Sequence, residues 1–207
     1  VDLSFIFRAL QSGADGVIIS GCWPGECHYV TEGNYDALAN MHLCKKLLEH
    51  VGINPKRLRL EWVAASEGSR FAQVMDDFVA ELKEVGPLGA GDGLDEDELK
   101  TRLASVERLI PYIKLVERER LRAPVKTQEA YDKFYASDET ARLFQTLIAD
   151  KLAISQILSL LEVRPRSTAQ ISEALGLTPS AVSKHMNVSA RQGLVKYDTD
   201  RLCFVLA

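Results

Sequence analysis

Residues 15–28 read Asp-Gly-Val-Ile-Ile-Ser-Gly-Cys-Trp-Pro-Gly-Glu-Cys-His, an apolar run followed at once by a loop with two cysteines. The run from Asp15 to Ser20 has the length and apolar character of a buried strand of a parallel sheet. Both thiols, Cys22 and Cys27, therefore lie where the carboxyl end of a strand leaves the sheet. Ligands bind at that edge in open α/β sheets, so we expect the functional site there.

The strand belongs to a predicted βαβ unit. Helices are expected over residues 3–9 and 34–51, and a second strand over 58–63. A third helix carries an apolar stripe that should lie on the sheet, formed by Phe71, Val74, Met75, Phe78, Leu82 and Val85. The predicted fold class is α/β with a partial doubly wound parallel sheet. Because two strands are few for such a sheet, we expect a missing N-terminal strand that precedes Val1 in a longer parent protein.

Two further units are predicted after this α/β domain of residues 1–86. Residues 87–136 are expected to form a glycine-rich linker and a helical arm that is interrupted by Pro111. Residues 137–207 contain a long helix, two short helices separated by a tight turn, and an alternating strand at the end. This order is typical of a winged helix-turn-helix domain.

The composition limits the classes of partner and location. The 207 residues contain 25 basic and 29 acidic side chains, so the chain as a whole has no charge that attracts nucleic acid or an anionic membrane. It has no apolar stretch long enough to cross a bilayer and no signal peptide, and a cytoplasmic protein is expected. It also has no phosphate-binding glycine loop, nucleophile elbow or paired metal-binding histidines.

Cys22 and Cys27 are the candidate metal ligands. Pro24 and Gly25 between them let the loop turn both sulfurs toward one point, and thiolates bind soft metals and iron-sulfur clusters. The alternatives are two packed cysteines at a strand end or a local disulfide, since two thiols fill only half of a four-thiolate site. His28 is a weaker candidate ligand. The remaining thiols, Cys44 and Cys203, are expected in the protein core.

Three stretches of the first 86 residues resemble the delta subunit of methyl-viologen-reducing hydrogenase, namely residues 13–29, 33–35 and 58–68. The resemblance implies an electron-transfer domain with a [2Fe-2S] cluster, in contact with the flavin subunit of a heterodisulfide-reductase-type complex. Cys22 and Cys27 match two cluster ligands of that family. Its other ligands would precede Val1, so this chain alone is not expected to hold the cluster. FAD is expected only in the partner or parent region.

Residues 29–37 and Trp23, together with the helical extension, are similar to one branch of this family. That branch is the B subunit of the quinone-interacting membrane-bound oxidoreductase complex. The resemblance implies flavin- and iron-sulfur-containing partner subunits, a quinone-linked membrane subunit, and a location at the cytoplasmic face of the membrane. It implies no small-molecule substrate and no catalytic residue in this chain.

The helix-turn-helix region has two interpretations. Its second helix would present Ser180, Ser183, Lys184 and Asn187 to base edges, with Arg191 near a phosphate. The local excess of basic residues is small for phosphate binding, so we favour docking to a protein over binding to DNA. The rival function is a redox-sensing transcription regulator. A third interpretation is a structural adaptor whose cysteines are packed and reduced.

Overall fold

The structure, a computed structural model, describes all 207 residues and contains a small parallel sheet. Helix α1 (Leu3–Gln11) leads to β1 (Val17–Gly21), and α2 (Gly33–His50) connects β1 to β2 (Leu58–Trp62). The two strands pair in parallel. This mixed helical fold with a two-stranded parallel sheet confirms the βαβ unit predicted from hydrophobic periodicity.

One face of the sheet carries the main core of the molecule. Side chains alternate between the two faces of a strand, and those at every second position of β1 and β2 point toward α1, α2 and the later helix α4 (Glu96–Arg120). The apolar side chains of this face belong to one continuous packed cluster with those helices, and they are Val17, Ile19, Leu58, Leu60 and Trp62. Because the two strands pair in parallel, their carboxyl ends, Gly21 and Trp62, lie side by side.

The other face of the sheet is more polar and is only partly covered by α3 (Gly68–Val85). Arg70 of this helix lies 3.5 Å from Glu61 of β2. Only Val74 and Phe78 of the predicted apolar stripe are buried, and Phe71 is 44% exposed. The expectation that the whole stripe lies on the sheet is therefore wrong for Phe71, because two strands are too narrow to cover an 18-residue helix.

A fully buried ion pair fastens the glycine-rich segment of residues 86–93 to the sheet. Arg57 has no exposed side-chain surface, and its Nη2 lies 2.9 Å from Oδ2 of Asp92, which is 1% exposed. The same guanidinium donates to the carbonyl oxygens of Asp15 (2.9 Å) and Pro87 (3.1 Å). The segment expected as a linker is thus held in place by a residue just before β2.

Asp92 completes its hydrogen bonds with backbone groups. Its carboxylate accepts from the amides of Asn54 (2.8 Å) and Gly89 (2.9 Å). Gly91 lies so close to this pair that an added Cβ would be 2.9 Å from the Arg57 guanidinium and 2.2 Å from the Val85 carbonyl oxygen. The missing side chain of Gly91 therefore permits close packing around the ion pair.

Helix α4 begins directly after this segment. Asp95 caps it and forms a capping box with Glu98, which satisfies amides at the start of the helix. The helix continues through Pro111, where an interruption was predicted. Pro111 lies on the exposed side, where water can satisfy the backbone carbonyl that its missing amide leaves free. Helix α4 packs along both α1 and α7.

A long helical stretch joins the two cores of the protein. Helix α5 (Gln128–Tyr135) precedes α6 (Asp138–Phe144), which runs through a π-helical turn over Gln145–Ala149 into α7 (Asp150–Val163). Residues as far as Leu152 belong to the main core, and residues from Ile157 belong to a smaller one. The domain bounds predicted at residues 86 and 136 remain predictions.

The last segment contains the two short helices of a helix-turn-helix, α8 (Thr168–Leu175) and α9 (Pro179–Arg191). Strands β3 (Val195–Asp198) and β4 (Cys203–Leu206) follow as an antiparallel pair. The specific winged arrangement of these elements remains a prediction. None of the helices combines the length and the apolar character needed to cross a bilayer.

The Arg57–Asp92 pair yields a stability prediction. Replacing Asp92 with Ala leaves the Arg57 charge buried and unpaired, and loss of one partner of a buried pair costs about 3–5 kcal/mol. We expect this decrease in the free energy of unfolding, measured by urea denaturation. The control is Asp76→Ala, which removes an exposed carboxylate of α3 and should change stability by less than about 0.5 kcal/mol. Equal effects of the two substitutions would contradict the role of the pair.

Candidate functional site

The two predicted ligands meet at the carboxyl end of β1. Cys22 directly follows the last residue of the strand, and Cys27 lies in the loop that leads to α2. Both cysteines are half-buried and neither forms a disulfide. The two thiols lie close enough together for Cys27 to raise the pKa of Cys22. The structure therefore brings together the two side chains that the spacing indicated, as free thiols.

The thiol pair has a characteristic electrostatic property. The hydrogen bond with Cys27 raises the pKa of Cys22, and partial removal from water raises it further. Two adjacent thiols resist joint ionisation because a second negative charge would lie beside the first. A bound metal cation reverses this preference, since it deprotonates the thiols that coordinate it. A pair of adjacent thiols thus suits a soft metal, to which it could supply two thiolates.

The first turn of α2 forms one wall of the site. Gly33 lies against Cys27, where an added Cβ would be 2.5 Å from the Cys27 sulfur. The neighbouring Asn34 is buried, and its Nδ2–H donates to the carbonyl oxygen of Cys22 at 2.7 Å. A larger residue at position 33 would displace the thiol. Asn34 thus holds the backbone of Cys22, and Gly33 leaves room for the sulfur of Cys27.

The loop after β2 forms the opposite wall. The Nε1–H of Trp23 donates to Oε2 of Glu67 at 2.8 Å, and the same oxygen accepts from the Ala64 amide at 2.7 Å. These bonds lower the pKa of Glu67, the Ala64 amide being the larger cause. The guanidinium carbon of Arg70 lies 5.1 Å from the centre of the Trp23 ring, within the range of a cation–π contact.

The other candidate ligands lie apart from this pair. His28 is exposed, and its ring lies edge-on to Tyr29 with the ring centres 5.2 Å apart. Cys44 is fully buried on α2, where removal from water raises its pKa strongly, and Cys203 is buried in the β-ribbon. No group of three or more His, Cys, Asp or Glu side chains lies close enough to hold a metal ion. Cys22 and Cys27 are therefore a pair of donors without a third donor beside them.

Several residues that build the site were not singled out from the sequence as site residues. Gly33, Asn34 and Glu67 fall within the stretches that resemble the hydrogenase delta subunit, but sequence alone does not indicate which of them contact the thiol loop. Arg70 lies on α3 outside the apolar stripe, and the stripe was the only feature of this helix that the sequence indicated. Only the packing of α3 beside the loop reveals its position over Trp23.

The exposed side of α9 is the second candidate surface. Ser180, Ser183, Asn187 and Arg191 are all exposed, as the helix-turn-helix interpretation requires. Lys184 is engaged by Asp150 of α7, with Nζ and Oδ2 3.1 Å apart. Arg191 is therefore the cation of this helix without an ion-pair partner. This surface is mainly neutral and polar.

Comparison with protein families divides the chain into two matched regions. Residues 1–86 match the family described as methyl-viologen-reducing hydrogenase, delta subunit. Residues 155–197 match the bacterial regulatory protein family arsR. The second match covers α8, α9 and most of α7, which supports the assignment of a helix-turn-helix there.

Comparison with individual proteins gives relatives of the first region. The chain is 53% identical over 87 residues to the iron-sulfur D subunit of the F420-non-reducing hydrogenase of Archaeoglobus profundus, covering 42% of this chain and 63% of that protein. It is 46% identical over 90 residues to the A subunit of the ferredoxin/F420H2-dependent CoB-CoM heterodisulfide reductase of Methanosarcina acetivorans, covering 44% of this chain and 11% of that protein. The chain thus spans less than two thirds of either relative. Residues 1–86 are a domain of the methyl-viologen-reducing hydrogenase delta-subunit family.

Proposed function

We propose that residues 1–86 form an iron-sulfur electron-transfer domain of a heterodisulfide-reductase-like complex. The observation that carries the proposal is the pair of free thiols, Cys22 and Cys27, close together at the carboxyl end of β1. The names of the relatives support it, since one is a hydrogenase iron-sulfur subunit and another is a heterodisulfide reductase subunit. The general role, electron transfer in a complex of this kind, is supported by both the thiol pair and the names of the relatives.

The finer proposal concerns the cofactor. Cys22 and Cys27 would hold a [2Fe-2S] cluster as two of its four thiolate ligands, and the other ligands come from residues outside this chain, because no further donors converge here. When bound, the cluster takes up and releases one electron. The chain itself contributes the two sulfurs and a partly buried loop, and the access of water to a cluster helps to set its potential. FAD belongs to a partner subunit or parent region.

The partners follow from the same reasoning. We propose flavin- and iron-sulfur-containing subunits as neighbours, with no small-molecule substrate bound by this chain. The similarity of the loop and the helical extension to the quinone-interacting oxidoreductase branch motivates a quinone-linked membrane subunit and a location at the cytoplasmic face of the membrane. These are the most specific parts of the proposal.

The helix-turn-helix unit is proposed as a docking module of this complex. The exposed side of α9 is mostly uncharged, and Lys184 is already paired with Asp150. Arg201 in the β3–β4 turn lies 3.9 Å from Asp198. Binding to DNA through phosphates usually recruits several free cations, and few are available on this surface. A polar, nearly neutral helix face suits a protein partner better.

The thiol pair gives the central prediction. In the intact protein isolated with its partner subunits, Cys22→Ser or Cys27→Ser removes one thiolate ligand and should abolish the paramagnetic signal of a reduced [2Fe-2S] cluster. The iron content should fall by about two atoms per chain. Electron paramagnetic resonance and iron analysis measure these changes.

The matched control is Cys203→Ser, which changes a buried thiol of β4 and should preserve both the paramagnetic signal and the iron content. If the two loop variants retain the wild-type spectrum, the proposal is wrong. A preparation in which Cys22 and Cys27 form a disulfide and no iron is present would also contradict the proposal.

A second candidate function is a redox-sensing transcription regulator that binds DNA. The match of residues 155–197 to the arsR family of regulatory proteins favours it, as does the exposure of the residues on α9 that would reach base edges. In this function the thiol loop would be the sensor and α9 would read the operator.

One pair of substitutions separates the two functions. Ser183→Glu with Asn187→Glu adds two negative charges to the exposed side of α9, and we expect the doubly substituted protein to keep its cluster signal but to lose copurification with the flavin and iron-sulfur subunits. The control is Ala141→Glu with Gln145→Glu, two exposed positions on the α6 side of the long helix. A salt-dependent gel shift of the wild type, lost only in the α9 variant, would instead establish the regulator.

A further inference from the structure

The residue after the first thiol is tied to an element distant in the sequence. Trp23 follows Cys22, and its indole N–H donates to Glu67, 44 positions later in the chain. Glu67 is itself fixed, because it accepts a hydrogen bond from the Ala64 amide near the start of the loop after β2. The carboxylate therefore joins the thiol loop to the loop that follows β2.

Arg70 strengthens this connection from the first turn of α3. Its guanidinium lies over the Trp23 ring at 5.1 Å, and its Nε–H donates to the Trp62 carbonyl oxygen at 3.2 Å. The side chain also lies 3.5 Å from Glu61. Both anchors belong to β2, so the cation over the indole is held by the sheet itself. Trp23, Glu67 and Arg70 together form what we call the indole clamp.

These contacts restrict the motion of a loop that has no regular secondary structure of its own. Residues 22–32 form neither helix nor strand, and loops of this kind are the most mobile parts of a fold. On the α2 side, Asn34 holds the Cys22 carbonyl oxygen at 2.7 Å. Without the indole clamp, the side of the loop that faces β2 has no comparable fixation.

We propose that Glu67 and Arg70 are positioning residues that act through Trp23 to hold the Cys22 thiol opposite the Cys27 thiol, ready to bind a soft metal. A ligand whose position is set in advance loses less freedom on binding. Partners that orient metal ligands typically contribute 10- to 100-fold in metal affinity. The proposal rests on the proposed function for its biological meaning, but the arrangement of the two thiols can be measured without any cluster.

The test uses Cd²⁺ as the probe and the reduced 207-residue chain. Cd²⁺ binding to the two thiolates is followed by the cadmium–thiolate absorption in the ultraviolet. We expect Glu67→Ala and Trp23→Phe each to weaken the Cd²⁺ affinity by about tenfold or more. Glu67→Gln keeps an oxygen that can accept from the indole and should stay within about threefold of the wild type.

A double-substitution cycle distinguishes positioning from general damage. If Glu67 acts through Trp23, the chain with both Glu67→Ala and Trp23→Phe should bind Cd²⁺ as weakly as either single variant, because the two changes break the same contact. Glu26→Ala removes an exposed charge from the same loop and serves as the control for electrostatic attraction. Thermal unfolding of each variant identifies any loss of folding, and Arg70→Lys, which keeps the charge but loses the planar fork, provides a second variant.

Three outcomes would overturn the proposal. They are an unchanged Cd²⁺ affinity in folded Glu67→Ala, an equal loss in Glu67→Gln and Glu67→Ala, and additive effects in the double variant. The equal loss would indicate a role of the charge alone. None of these results bears on whether Cys22 and Cys27 ligate iron in the complex, which the cysteine substitutions decide separately.

Discussion

The buried ion pair of Arg57 and Asp92 is the interaction on which the arrangement of the other elements depends. A buried charge is tolerated only when a partner and hydrogen bonds replace its lost hydration. Here the guanidinium bonds Asp92 and two carbonyl oxygens, and the carboxylate accepts from two amides. The pair thus joins the entry to β1, the start of β2 and the segment before α4, and it directs α4 across the core.

Helix α4 connects the α/β domain with the later helices. It packs along both α1 and α7. Between α4 and α7, the Ser155 hydroxyl donates to the Ser105 carbonyl oxygen at 3.0 Å, and Arg108 lies 2.8 Å from Glu162. The helical stretch with the π turn enters both cores. The helix-turn-helix is therefore connected to the α/β domain by packed helices.

The candidate metal centre follows from the position of the thiol loop between two walls. The loop leaves the sheet at its carboxyl edge, where the backbone is free of ladder hydrogen bonds and can present side chains. One wall comes from α2, where Asn34 holds the Cys22 carbonyl oxygen and Gly33 lies against the Cys27 sulfur. The other comes from the loop after β2, where Glu67 holds the Trp23 indole. Under the proposed function, these two donors would be part of a cluster site shared with other parts of a larger assembly.

The sequence by itself determined the elements with a strong local signal. The apolar runs predicted β1 and β2, and the helical periodicity predicted α2 and α3. The spacing of Cys22 and Cys27, with Pro24 and Gly25 between them, indicated only that the loop can turn both sulfurs toward one point. Tertiary structure alone decided the pairings between distant positions, which are Arg57 with Asp92 and Glu67 with Trp23. It also decided that Phe71 is exposed. The physical reason is that periodicity reports which side of an element is apolar, whereas the partner of a charge or an indole depends on how separate elements pack.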